Sequence, residues 1–191
     1  MKRYVELINK SIAAALLISL GDYVLLKLGN PLGPFLFALG LLGVCYMGLN
    51  LFTGKCGFIF QDKIKFKDIL LILIFNLLAG YLFGFLFRVA DTSLIDVAVN
   101  KVNSWNISWA FFVKSLLCGM IMYIAVYMYR KGTPLGIIFG IPLFILCGFQ
   151  HCIANIITLG VAMTFSPTIF ICILGNLIGS LFVWFLSRDL K

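Results

Sequence analysis

"LCGFQHCIANIITLG", residues 146–160, holds the single histidine of the chain inside an apolar run with no lysine, arginine, aspartate or glutamate beside it. An imidazole in such surroundings is costly to bury without partners, so the medium around it has to be settled first. Of the 191 residues, 62% are hydrophobic and only 12% are charged. Mean hydropathy is +1.09, and apolar runs recur from end to end. That balance excludes a soluble domain and specifies an all-α, polytopic membrane protein.

A spanning helix needs about 20 mainly apolar residues, and six segments meet that length, at roughly 11–28, 35–60, 69–87, 107–129, 134–160 and 168–187. The links between them are short, so residues 1–191 read as one membrane domain. The first segment lacks a small-residue cleavage signature and is expected to be a retained helix. The net charge of +8 follows the helix ends. Lys2, Arg3, Lys10, Lys63, Lys65, Lys67, Arg130, Lys131, Arg188 and Lys191 fall at one set of ends, whereas Lys27, Arg88 and Lys101 fall at the other. The positive-inside rule then predicts cytoplasmic termini and an inner-membrane location, and makes the charge a topology signal with no nucleic-acid partner. Cys45, Cys56, Cys118, Cys147, Cys152 and Cys172 lack zinc-type spacing and read as small buried hydrophobes.

Laid over itself with an offset of 100 residues, the chain is weakly self-similar. Asn76 in "FNLLAGYLFGFLF" (75–87) meets Asn176 in "GNLIGSLFVWFLS" (175–187), and "LFTGK" (51–55) meets "HCIAN" (151–155). Three helices per half is an odd number, so repeat one (about 8–90) and repeat two (about 105–188) are expected to be inverted in the membrane. The second and fifth segments are long and carry polar or small residues inside: Asn50, Thr53, Gly54 and Lys55 in one, Gly148, Gln150, His151 and Asn155 in the other. Irregular backbone at membrane depth survives only where protein or a water-lined cavity satisfies it, so both helices are expected to be broken, with the breaks facing each other at a transport site.

"LFTGK", "GFQHCIAN" (148–155) and "GNLIGS" (175–180) resemble the signature segments of the formate/nitrite transporter family, approximately LFT-G/S, GFEH-S-x-AN and GN-x-x-GG. "SIAAALLISLGDYV" (11–24) resembles that family's first helix and "LLCGMIMYIAVYM" (116–128) its fourth. The resemblance implies an aquaporin-like, six-helix protomer with its own pore, in a homo-oligomer that is usually a pentamer, passing small monovalent anions or their conjugate acids. It places His151 and Thr53 at the pore centre beside Gln150, and apolar constrictions at Leu51, Phe52 and Phe144, with Phe37 and Leu41 as further matches. It also makes Lys101 a vestibule cation. Three departures bear on the substrate: Gln150 replaces the family glutamate, Gly119 replaces a family asparagine and so removes an expected pore amide, and Asp22 interrupts a first helix that is normally uncharged.

Desolvating an anion costs several kcal/mol even after relaxation, roughly, and protonation removes most of that penalty. A cation such as Lys101 would concentrate formate, nitrite or hydrosulfide, and the neutral acid would then cross the apolar ring. His151 is suited by type either to relay the proton or only to hydrogen-bond the permeant. A neutral amide at position 150 does not favour imidazolium as a carboxylate would, which opens a second reading, a channel for a neutral solute such as urea. Against these stands a purely structural His151, bonded to backbone. Thr53 equally suits a bond to its own helix. Asn76 and Asn176 read as ties or caps for broken segments, and Asn155 as a polar group at the fifth break. Asp22 and Lys114 are expected to pair, because each falls well inside an apolar segment. Lys55 is a candidate for the inner vestibule or for snorkelling. No second histidine, nucleophile–base pair or metal cluster accompanies His151, so neither enzyme, metal nor cofactor is expected, and the partners are the bilayer and a small solute or anion.

Overall fold

A computed structural model of the chain describes residues 2–189, all helix and connection, so Lys191 of the basic end lies outside the described residues. Among the described residues, four helices are long and apolar enough to cross a membrane: α1 (Lys2–Leu28), α4 (Phe66–Ala90), α6 (Trp109–Arg130) and α9 (Thr168–Ser187). The others are α2 (Leu32–Tyr46), α3 (Phe52–Lys55), α5 (Leu94–Asn103), α7 (Leu135–Leu146) and α8 (Cys152–Ala162), and a 3-10 turn at Cys56–Phe58 follows α3. The first helix starts well before residue 11. Its charged opening turns are stable helix, with Lys10 Nζ bonded to Glu6 at 2.7 Å across one turn, and only their polarity kept them out of an apolar window.

Helix α5 falls in what the sequence offers as a link. It carries Asp96, Asn100, Lys101 and Asn103, yet Leu94, Ala98 and Val102 recur every four residues and are buried. Residues 35–60 and 134–160 each contain two separate helices. Helices α2 and α7 both end on a glycine in the left-handed region, Gly48 at φ +62° and Gly148 at +67°, a conformation that strains any side chain. Leu51 and His151 are then extended, and α3 and α8 begin one residue later.

Helix α6 packs along α9, α4 along α8, and α1 against α2 and α4. Glycines set the spacing. A β-carbon on Gly179 would collide with the Leu116 carbonyl, and one on Gly119 with the backbone of Asn176. Gly119 is therefore a contact between helix backbones and leaves no room for the pore amide expected there. Ion pairs fasten the two ends of the bundle. Arg3 pairs with Asp68, and Arg130 grips Asp62 through two bonds of 2.7 and 3.0 Å. At the opposite end Lys27 Nζ lies 2.7 Å from Asp91. That ammonium, with the hydroxyls of Ser93 and then Tyr23, holds the Asp91 carboxyl well below the usual carboxylate range. The clamp's contribution is present above the ordinary carboxylate pKa and is lost only as pH falls through the depressed one. Of the cysteines, Cys147 is exposed and Cys45 half-buried, unlike the buried remainder.

Gly179→Ala is expected to cost about 1–3 kcal/mol through overpacking. Gly54→Ala, whose new carbon would meet its nearest neighbour at 3.7 Å, should be tolerated. Thermal loss of helical circular dichroism in detergent measures both, and equal melting temperatures would contradict the assignment of the α6–α9 contact.

Candidate functional site

Two non-helical connections, residues 47–51 and 147–151, enter the middle of the bundle; backbone bonds such as Leu49 N–H to the Val44 carbonyl and Phe149 N–H to the Phe144 carbonyl close the helix before each, and a fully buried asparagine from a neighbouring long helix ties the far end. Asn76 on α4 accepts the Phe52 amide at 2.8 Å and donates to the carbonyls of Ser11 (2.7 Å) and Asn50 (3.0 Å). Asn176 on α9 accepts the Cys152 amide at 2.8 Å and donates to Ser115 (2.7 Å) and Gln150 (2.8 Å). One side chain thus serves the first amide of a short helix and two carbonyls, in the same way at both places.

These ties bring the two short helices tip to tip. Thr53 Oγ1 lies 2.8 Å from His151 Nε2, and the Ala154 amide donates to His151 Nδ1 at 3.1 Å. An acceptor at Nδ1 leaves the ring proton on Nε2, where it points to Thr53. Both ring nitrogens are therefore engaged in a neutral imidazole, and the Thr53 hydroxyl keeps its own proton to donate. The backbone bond that a structural histidine needs and the side-chain contact that a functional one needs are both present.

Apolar side chains surround this contact. Leu51, Phe52, Phe37, Leu41 and Phe144 are all within 3% exposure. Phe37 meets Phe144 edge-on at 6.3 Å, and Phe144 stacks on His151 at 5.7 Å. A cavity lies to each side of the layer. One, of about 280 Å³, is bounded by Phe37, Phe144, His151, Asn155, Asp22 and Lys101. The other, of about 180 Å³, is bounded by Leu41, Leu51, Lys55, Tyr129 and Arg130.

Gln150 does not touch the imidazole. Its Oε1 accepts from Asn155 Nδ2 at 3.0 Å and its Nε2 donates to the Gly148 carbonyl at 3.0 Å. The second bond needs an amide, because a carboxylate has no proton to give. The expected pairing of Asp22 with Lys114 does not form. Lys114 is exposed on α6, while Asp22 faces α5 and α8, 3.9 Å from Lys101 Nζ and 3.2 Å from Thr158 Oγ1. The reach across to α5 was hidden because α5 itself was hidden. Thr158 was also missed, although it sits seven residues after His151 and so two turns along one face of α8.

The pattern that defines the family described as formate/nitrite transporter matches residues 2–169. An uncharacterized transporter of Bacillus subtilis is 26% identical over 181 residues, which is 80% of this chain and 68% of the relative. An uncharacterized transporter of Saccharomyces cerevisiae is 23% identical over 76% of this chain, and the aligned part spans only 28% of that longer protein. Among solved structures, a pentameric formate channel with formate bound superposes with TM-score 0.78 at 17% identity, covering 100% of this chain and 99% of that one. An FNT family ion channel superposes with TM-score 0.69 at 23% identity, covering 95% and 86%. At those identities the likeness establishes the fold.

Asn176→Leu would strand the Cys152 amide and take from the Gln150 carbonyl its 2.8 Å bond, and is expected to lower stability by about 2–3 kcal/mol. Asn155→Ala, which removes bonds to Gln150 and Cys172 alone, should cost about 1 kcal/mol. Thermal unfolding of the purified proteins separates them, and a mild Asn176→Leu would mean that the connections find other partners.

Proposed function

We propose, from the premise that this chain belongs to the formate/nitrite transporter family, that it is a one-domain channel passing small weak monovalent acids of the formate, nitrite or hydrosulfide class. On this reading α2–α3 and α7–α8 are each one interrupted crossing, so the chain makes six crossings as two inverted halves. The termini lie in the cytoplasm, where the positive-inside rule puts the richer set of lysines and arginines. The protomer sits in the inner membrane and assembles as a homo-oligomer, with the pentamer of the formate channel relative as the expected form. No enzymatic step is needed.

The observation that carries the reading is the Thr53–His151 bond at 2.8 Å inside an apolar layer with a cavity on each side. Leu51, Phe52, Phe37, Leu41 and Phe144 form the barrier to ions. Loss of hydration there costs several kcal/mol, roughly, so the permeant crosses as a neutral acid. The Thr53 hydroxyl replaces one hydrogen bond of its lost hydration shell, held in place by the imidazole behind it. His151 acts as an orienting donor, since protonating Nδ1 would break its bond to the Ala154 amide. Lys101 and Lys55 line the vestibules on either side, and Asn76, Asn176 and Asn155 hold the connections between them.

A neutral solute such as urea is the second reading, favoured by the amide at Gln150 and by the carboxyl of Asp22 so near Lys101. Stopped-flow flux in proteoliposomes decides between them, with formate, nitrite, hydrosulfide and urea offered at acid and neutral pH. The weak acids are expected to pass faster at acid pH. His151→Ala should slow them about tenfold or more, a loss of about 1.4 kcal/mol in the barrier region. Urea passing alone, with little pH dependence, would support the second reading. Passage of neither would refute both.

A further inference from the structure

Asp22 is a carboxyl side chain with no exposed surface, set in the membrane-crossing helix α1. Its Oδ1 has no hydrogen-bond partner among the described residues, and the residue borders the cavity of about 280 Å³ that reaches Phe144 and His151. Lys101 Nζ stands 3.9 Å from that oxygen, near enough for attraction and too far for a hydrogen bond. An orphan buried carboxylate oxygen costs a great deal unless something arrives to meet it.

The surroundings suit both protonation states of Asp22. Thr158 Oγ1 lies 3.2 Å from Asp22 Oδ2 and 3.2 Å from the Ala154 carbonyl, and it accepts from Lys101 Nζ at 3.3 Å. The hydroxyl has one proton. When Asp22 is ionised, that proton goes to Oδ2. When Asp22 is protonated, Oδ2–H donates to Thr158 and the threonine turns its proton to Ala154, so Oδ2 and Thr158 are partnered in either state and only Oδ1 is left open to the cavity. The other titratable groups bordering the cavity are Lys101 and His151, and both nitrogens of the latter are engaged. Helices α2 and α8 contribute no Asp, Glu, Lys, Arg or His of their own. On α4, Asp68 is paired to Arg3, and Arg88 donates to the Val161 carbonyl. Nearer the end of α1, Tyr23 and Lys27 are both bonded to Asp91.

We propose that Asp22 gives the proton that neutralises a weak-acid anion in this cavity, with Lys101 as the cation shared by the two carboxylates. The proposal rests on the weak-acid reading above. An anion such as formate enters between Lys101 Nζ and the protonated Asp22. The carboxyl O–H bond of Asp22 breaks as an O–H bond forms on the permeant, and the electron pair left behind makes Asp22 a carboxylate facing Lys101. Before the step the site holds an ammonium, an anion and an acid; afterwards it holds an ammonium, an anion and an acid again, with the proton moved. Net charge is unchanged, and exchange between two carboxylic acids of similar strength needs no large driving force. The neutral acid moves on toward Phe144 and Thr53, and Asp22 takes its next proton from hydronium of the bulk solution through the cavity, leaving water behind. Asp22 thereby fills the role for which His151 has no free nitrogen.

The test is formate flux against pH in proteoliposomes, with the flux of protein-free vesicles subtracted, for the natural protein, Asp22→Asn and Thr158→Val. Elution volume and thermal unfolding in detergent report on assembly. Asp22→Asn should slow formate about tenfold or more and flatten its pH dependence, whereas Asp22→Glu should restore the slope. If Asp22 only balances the charge of Lys101, removing it leaves formate as fast or faster with the slope intact, and the proposal is overturned. Thr158→Val decides the matter if Asp22→Asn does not assemble. It removes a charge-assisted bond to the carboxylate, the stronger of the two that Thr158 supports, so the midpoint of the pH profile should move to higher pH. An unmoved midpoint would count against the proposal. A natural protein that passes no weak acid defeats the reading above, and this proposal with it, before any variant is considered.

Discussion

A peptide group cannot be left without a partner in the apolar interior of a membrane, and the fold depends on how that constraint is met at two places. Residues 47–51 and 147–151 leave the helical hydrogen-bond pattern inside the bundle, and Asn76 and Asn176 each meet there one carbonyl and the first amide of the next helix, while a second carbonyl, of Ser11 or Ser115, ties the side chain to α1 or α6. Each asparagine is fully buried in a long helix that glycines bring close to its neighbour. The close approach and the amide bonds require one another. A larger residue at Gly119 would move Asn176, and with it the start of α8 and His151.

The chemistry of the centre follows from that placement. An extended residue before α8 is where a side chain can cap the helix, and His151 does so through Nδ1 to the Ala154 amide. The cap fixes the tautomer, and the tautomer aims Nε2–H at Thr53. One backbone bond thus turns a titratable ring into an oriented, neutral donor. On the account proposed here, proton exchange is moved one step outward to Asp22, Thr158 and Lys101, where a cavity gives access to water and the hydroxyl supports either state of the carboxyl. Orientation and proton transfer are then carried by different residues on one side of a single apolar barrier.

Much of this arrangement is legible in the sequence because its causes are local or repeated. Length and hydropathy reveal the four long apolar helices, and an offset of 100 residues pairs Asn76 with Asn176. The facing of "LFTGK" and "HCIAN" follows from that repeat and from the family resemblance, and in the structure Thr53 and His151 lie 2.8 Å apart. What was hidden lies where contacts depend on three-dimensional reach. Helix α5 has only ten residues, with Asp96, Asn100, Lys101 and Asn103 among them, so a search for about 20 apolar residues passes over it. Without α5, Lys101 has no evident route to Asp22, and Lys114 takes its place as the nearest cation at matching depth. At Gly119 the sequence tells which amide is missing but not that the Asn176 backbone lies against that position.

The central claim is that His151 is a neutral ring with Nδ1 as acceptor and Nε2–H as donor. The chain has one histidine, so nitrogen-15 solid-state NMR of histidine-labelled protein in lipid reads this site without overlap. The account predicts a single tautomer, protonated at Nε2 and bare at Nδ1, retained from about pH 8 to about pH 5, the range over which a free histidine titrates. A doubly protonated ring at the acid end, or a proton on Nδ1, would contradict it, because either state breaks the Ala154 bond that orients the ring.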